Sequence, residues 1–139
     1  VAHAADDRIE VEVRVRYCEC DPMNVAHHSV YPVWLEIART ELLRQKGCTY
    51  RDLEARGVYL VVAKMSLRYR RPARYDDVLR VCAWVVPGST SGSVKIEHEY
   101  EVYRGQELLA TATTTLACVD QRGRLRALPP EVLPPEVLK

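Results

Sequence analysis

The sequence predicts an α+β domain: one antiparallel sheet, with its helices grouped near the N-terminal end. Three observations lead there. Apolar and polar residues alternate before residue 18 and again after residue 57, the period becomes helical between Tyr31 and Gly47, and no long helical stretch recurs between the later strands. Helices interleaved strand by strand would signal a parallel sheet, whereas segregated helices followed by a meander signal α+β. Alternation of this kind fits a sheet with one covered face.

Each element has its own signal. Ile9, Val11, Val13 and Val15 alternate with Glu10, Glu12, Arg14 and Arg16, which predicts a half-buried strand over 9–17. A polar loop follows. Tyr31, Leu35, Ala38 and Leu42 then form one helical stripe, widened by Trp34 and Ile37, so a long helix is expected from Tyr31 to Gly47. Pro32 suits its first turn and Gly47 the residue past its end. Its first half is apolar nearly all round and is expected to be covered on more than one side. Thr49 can cap a short helix over 50–55, with Gly57 as its stop.

From 58 to 71 the period is two, placing Tyr59, Val61, Ala63, Met65, Leu67 and Tyr69 on one face and Lys64, Ser66, Arg68 and Arg70 on the other. Pro72-Ala73-Arg74-Tyr75-Asp76-Asp77 interrupts it, and further strands are expected over 78–86, 93–103 and 108–119. Pro87 to Gly92 reads as a turn and Arg104 to Glu107 as a hairpin. His98 falls on an apolar strand face and is expected to be a core histidine with its ring nitrogens satisfied. The end of the chain repeats P-P-E-V-L, too briefly for a solenoid, and is expected to form a short terminal helix or an extended tail without chemistry. The 139 residues are expected to form one domain, with 1–8 and 124–139 as tails.

Composition narrows the function. A net charge of +1 provides no bulk attraction to nucleic acid or anionic lipid. No apolar run approaches the roughly 20 residues of a membrane span. The first residues, V-A-H-A-A-D-D, lack the basic and apolar regions of a secretory signal. The five cysteines are odd in number and read as reduced thiols, Cys82 and Cys118 within the core; a cytoplasmic protein is expected. No glycine-rich phosphate loop is present, so no nucleotide cofactor is expected.

Chemistry concentrates in C-E-C-D-P-M-N-V-A-H-H-S-V-Y, residues 18–31. Cys18, Cys20, Asp21, His27 and His28 are all metal-ligand types, but a Cys-x-Cys at a strand end departs from the usual C-x₂₋₄-C turns of zinc sites, and no metal is expected. The D-x-N-P-x-H pattern of enoyl-thioester hydratases is also out of register, because Pro22 precedes Asn24. Asp21-Pro22 starts turns in many structures with no catalytic role.

The loop and its flanks together resemble the hotdog-fold acyl-CoA thioesterases of the 4-hydroxybenzoyl-CoA thioesterase type. Asp21, Val25, His28, Tyr31, Trp34, Glu36, Ala38 and Arg39 fall in step with that family's loop and helix, and Y-R-R-P-A-R-Y-D-D at 69–77 resembles its Y-x-x-P-A-x-Y-D-D. The resemblance runs from about Ile9 to about Asp120. One departure is Asn24, where the family has glycine; asparagine is the next most tolerant residue of a left-handed backbone.

The resemblance implies a sheet wrapped round the long helix, and hydrolysis of an acyl-CoA to carboxylic acid and free CoA. It implies Asp21 as the catalytic carboxylate, acting as nucleophile or as general base, and the backbone amide of His28 as the donor polarising the thioester carbonyl. Helix N-terminal amides suit that second task. Coenzyme A enters as part of the substrate, with no other cofactor. A homodimer or homotetramer is implied, with sites between subunits. Tyr31, Trp34, Tyr59 and Met65 are candidates to line the acyl pocket. Among the basic residues Lys64, Arg68, Arg70, Arg71 and Arg74, the adjacent pair Arg70 and Arg71 is assigned to CoA phosphates. Glu36 with Arg39 and Glu41 with Arg44 have the spacing of surface or interface ion pairs. A non-catalytic acyl-thioester binding module on the same fold is the alternative.

Overall fold

The computed structural model describes residues 8–88 and 93–133. Parts of the expected tails and of the 87–92 turn lie outside these residues. Five strands, β1 (Arg8–Arg14), β2 (Tyr59–Tyr69), β3 (Val78–Val85), β4 (Lys95–Arg104) and β5 (Glu107–Val119), form one sheet in the order β1-β3-β4-β5-β2. Every neighbouring pair is antiparallel. β1 and β2 therefore occupy opposite edges. The chain between them crosses the sheet through α1 (Tyr31–Gln45) and the shorter α2 (Tyr50–Ala55). This is the α+β architecture expected, with α1 packed on β1 and β3.

α1 buries Tyr31, Trp34, Leu35, Ala38, Leu42 and Leu43 against the sheet. It ends at Gly47, whose φ of +86° is a left-handed conformation that a Cβ would strain. On its outer side Val33 and Ile37, one turn apart, remain 46% and 41% exposed. The expected cover on more than one side is thus missing from the single chain. α2 begins as expected, with Thr49 and Asp52 capping each other's backbone N–H.

Three expectations need correction. β1 stops at Arg14 rather than running to residue 17, because the Glu19 carboxylate accepts the Arg16 N–H and draws Tyr17–Glu19 into a 3-10 turn. The regular alternation read over 58–71 is broken at Ala63, where the β2–β5 register slips between Val62 and Lys64. The extra residue reverses the faces. Leu60 packs into the core, and Met65, Leu67 and Tyr69 share its side; Tyr59 and Val61 pair one register off and point the other way. Finally, part of the C-terminal stretch read as a tail is core: Leu128, Val132 and Leu133 are buried beside Leu42, Leu53 and Leu116.

Cys48, Cys82 and Cys118 are buried and free, as small apolar residues. The surface or interface ion pair expected between Glu36 and Arg39 is present. The two approach to 3.6 Å, but the Arg39 side chain is buried, with its guanidinium on the Tyr100 hydroxyl at 3.2 Å. Tyr100 in turn meets Thr114 at 2.6 Å. His98 lies in the same region, enclosed as expected but not satisfied as expected: its Nδ1 has no partner among the described residues. Burial, reinforced by the positive charges of Arg39 and Lys46, pulls its pKa down to about 3.

That neutral histidine makes stability pH-dependent. The unfolded chain protonates this side chain near 6.5 and the folded protein only near about 3, so between these values the unfolded state holds the extra proton. Stability is full above the window and is lost as pH falls through it, with a slope approaching ~1.4 kcal/mol per pH unit for one group. Denaturation midpoints for His98→Gln should show a flatter pH dependence than the parent over the same window.

Candidate active site

The loop between β1 and α1 is a small hairpin. The Glu19 carbonyl accepts the His27 N–H at 2.8 Å, Cys20 bridges Ala26, and the Asp21 N–H donates to the Val25 carbonyl at 2.9 Å. Asp21 closes the turn with its own side chain. Its Oδ1 accepts the N–H groups of Met23 at 2.9 Å and Val25 at 3.4 Å, an Asx turn. Oδ2 has no hydrogen-bond partner among the described residues. Asn24 sits at φ +63°, the left-handed position expected where the family has glycine.

The second motif-bearing stretch lies against this hairpin. Val25 bridges Arg74, and the Ala26 N–H donates to the Ala73 carbonyl at 2.7 Å. Asp77 tightens the Pro72–Asp77 turn by accepting the Arg74 N–H, and it is held by Arg104 at 2.6 Å. The two most specific sequence features, far apart in the chain, thus form one unit.

The hairpin leads into a 3-10 turn, His28–Val30, running directly into α1. His27 caps it, its Nδ1 accepting the Ser29 N–H at 3.2 Å and contacting the Ser29 hydroxyl at 2.7 Å. From Met23 to Val30 the backbone donors are nearly all taken: Met23 and Val25 by the Asp21 side chain, Asn24 by the Asp21 carbonyl, Ala26 by Ala73, His27 by Glu19, Ser29 by the His27 ring and Val30 by the His27 carbonyl. The His28 N–H alone has no partner among the described residues. Its position at the start of a helix makes it an available anion donor.

His28 opens on a cleft of about 290 Å³ lined by Ala26, His28, Tyr31, Tyr69, Arg70, Arg71 and Pro72. Four predicted site residues, His28, Tyr31, Arg70 and Arg71, therefore meet there. Tyr69 was not assigned to the site from sequence, although it is the first letter of the 69–77 motif. Its hydroxyl donates to the His28 carbonyl at 2.8 Å, and its ring stands edge-on to Tyr31 at 4.9 Å. Burial pushes both phenols above their ordinary pKa, so they act as neutral donors and apolar walls. Arg71 is paired with Glu107 at 2.8 Å, whereas the Arg70 guanidinium has no carboxylate partner among the described residues.

Other predicted residues lie elsewhere. Asp21 stands at the hairpin tip and is not part of the cleft lining. Trp34 is 1% exposed and belongs to the core, its indole N–H given to Glu19 at 3.3 Å, so it does not line a pocket in this chain. Met65 and Tyr59 are on β2, outside the cleft and on opposite faces because of the bulge at Ala63. The Cys20 thiol is no activated nucleophile: burial first, then the carboxylates of Glu19 and Asp21, push its pKa up. Among the described residues no cluster of three or more His, Cys, Asp or Glu could hold a metal ion, and no helix is long and apolar enough to cross a membrane.

Comparison with known proteins resolves the family. The thioesterase-like superfamily matches residues 6–138. The chain belongs to that superfamily. It is 34% identical over 122 residues to the acyl-CoA thioester hydrolase YbgC of Escherichia coli O6:H1, covering 87% of this chain and 90% of that one. A hypothetical protein from Aquifex aeolicus superposes with a TM-score of 0.83 at 32% identity, covering 94% of this chain and 99% of its own. The DHNA-CoA thioesterase of Staphylococcus aureus superposes at 0.78 with 27% identity, covering 87% of this chain and 79% of that one. The hotdog fold implied by the loop motif is the fold found.

The left-handed residue of this thioesterase's loop provides a direct test. Asn24→Ala forces a Cβ without a compensating polar group into φ +63° and should cost ~1–2 kcal/mol. Asn24→Gly should be close to neutral. Chemical denaturation of the two variants measures the difference.

Proposed function

We propose that this thioesterase hydrolyses an acyl-CoA to a carboxylic acid and free CoA, with Asp21 as the catalytic carboxylate and the His28 N–H as the oxyanion donor. The observation that carries the reading is the single unpaired amide of the 23–30 loop, at the position where the family motif calls for one. As a tetrahedral centre forms, charge collects on the thioester oxygen, and a fixed N–H at a helix start stabilises it without reorganisation. Asp21 is anchored through Oδ1 and offers Oδ2 to the reaction. That oxygen either attacks the acyl carbon, expelling the CoA thiolate and leaving a mixed anhydride for water to cleave, or takes a proton from the attacking water. Tyr31 and Tyr69 border the acyl group, and Arg70 receives a CoA phosphate.

We infer further that the working unit is a homodimer joined along β2. This strand is 11 residues long and has β5 on one side only. Val61 and Val62 are 45% and 46% exposed on it, a sheet edge that a second copy would cover. The exposed Val33 and Ile37 of α1 supply further apolar surface for that contact. A partner seated there would bring a second wall towards Asp21, which one chain leaves outside the cleft.

Proline substitution separates the amide of His28 from its ring. His28 is the first residue of its 3-10 turn and follows His27 at ψ 142°, so proline fits the backbone and removes only the N–H. In a thiol-release assay over a panel of acyl-CoAs, His28→Ala should stay within about threefold of the parent. His28→Pro should lose about 10²–10³ in kcat with its melting temperature preserved. Asp21→Asn should fall by at least as much while remaining folded. Parent-like turnover in both Asp21→Asn and His28→Pro rejects the assignment, and acyl-CoA binding without thiol release favours a binding module. Sedimentation equilibrium should return twice the chain mass, and Val61→Asp with Val62→Asp should return a monomer.

A further inference from the structure

Glu19 is a buried carboxylate that the proposed reaction does not use. It is only 6% exposed, two residues before Asp21. Its Oε1 accepts the Arg16 N–H at 2.8 Å; its Oε2 accepts the Arg16 guanidinium at 3.1 Å and the Trp34 indole N–H at 3.3 Å. Enclosing a carboxylate is costly even when it is paired, and a well-packed apolar side chain often stabilises such a site at least as well. The cation here is itself 67% exposed, so solvent weakens its attraction. Stability alone is a poor account of an acid at this position.

Geometry is a better one. The group adds a polar clamp to three pieces of chain that also share the core: the exit of β1 at Arg16, the first limb of the hairpin and the first turns of α1 at Trp34. Two routes lead from it to the His28 peptide. Through the main chain, the Glu19 carbonyl holds the His27 N–H, leaving the next amide free. Through side chains, Trp34 packs on Tyr31 at 4.7 Å, Tyr31 meets Tyr69 at 4.9 Å, and Tyr69 holds the His28 carbonyl. On the other side, Cys20 and its bridge to Ala26 connect Glu19 to Asp21.

We propose that Glu19 is a positioning residue for thioester hydrolysis, its carboxylate holding the loop that bears Asp21 and the free His28 amide in register with the start of α1. It touches no substrate. This rests on the Asp21 and His28 reading given above. Loss of the clamp lets both groups drift, and displacement of a catalytic group by about 1 Å can cost 10²-fold. The effect belongs to kcat, because the cleft residues Tyr31, Tyr69 and Arg70 remain to bind substrate.

The test compares Glu19→Ala, Glu19→Gln and Trp34→Phe with Asp21→Asn in acyl-CoA hydrolysis, assayed well below each variant's melting temperature. Glu19→Ala should lose about 10- to 100-fold in kcat with KM within about threefold. Glu19→Gln keeps an acceptor for the indole but turns an NH₂ towards the Arg16 donors, so its kcat should fall between Glu19→Ala and the parent. Trp34→Phe removes the indole N–H together with part of a buried ring, so its melting temperature should fall, and it should lower kcat several-fold at unchanged KM. A merely stabilising role would shift melting and leave kcat per folded molecule at the parent value. Parent-like kcat in folded Glu19→Gln and Trp34→Phe overturns the proposal, whether or not Glu19→Ala folds, provided Asp21→Asn is inactive. Should Asp21→Asn keep full turnover, the site reading itself falls, and this proposal with it.

Discussion

The short antiparallel pairing of residues 19–21 with 25–27 is the constraint on which the cleft depends. Asp21 spends one carboxylate oxygen on the turn, and Glu19 and Ala73 take the next inward-facing amides. By exhausting its own donors, the loop leaves one over at the threshold of α1. His28 is an exposed residue, so its spare amide is open to solvent or to a ligand. It stands at a helix start, beside a cleft walled by tyrosines and bordered by arginines.

The Pro72–Asp77 turn matters for the same reason. It connects two strands, yet it also meets the hairpin through Ala73 and Arg74, and its own shape is kept by Asp77 and Arg104. The loop before α1 is therefore held from two sides: by the chain that precedes it, through Arg16 and Glu19, and by a turn from across the sheet. Mobility in either would reach the same few atoms.

What could be read in the sequence is what is encoded locally. The helix stripe from Tyr31 to Leu42, the cap at Thr49 and the turn at Gly105 each depend on neighbours within a few residues and stand where periodicity or turn chemistry placed them, while the left-handed Asn24 stands where the family resemblance put a glycine. The features that escaped depend on distant partners. An uninterrupted alternation over 58–71 gives no sign that Ala63 bulges against β5. Tyr69 and His28 meet only because the end of β2 passes the helix start. Trp34 looked like a pocket wall because an aromatic near a helix N-terminus says nothing of what lies opposite it, and here that is the core and Glu19. Glu19 did leave a signal: an acid three residues after Arg16 has the reach-back spacing of a capping box. The leucines and valine at 128–133 were hidden among prolines, which suggest a tail even where the chain packs.

The placement of β1 and β2 at opposite edges of the sheet also dictates an order of events during synthesis. β1 and α1 leave the ribosome before β3, the strand that both must pack against, has been made. Until then the apolar side of α1 has only β1, itself a strand without a neighbour, to rest on, and the nascent chain must carry much of it exposed or sheltered by another molecule. Sheet closure waits on pairings between residues far apart along the chain, a topology that favours slow folding and leaves the newborn protein open to aggregation.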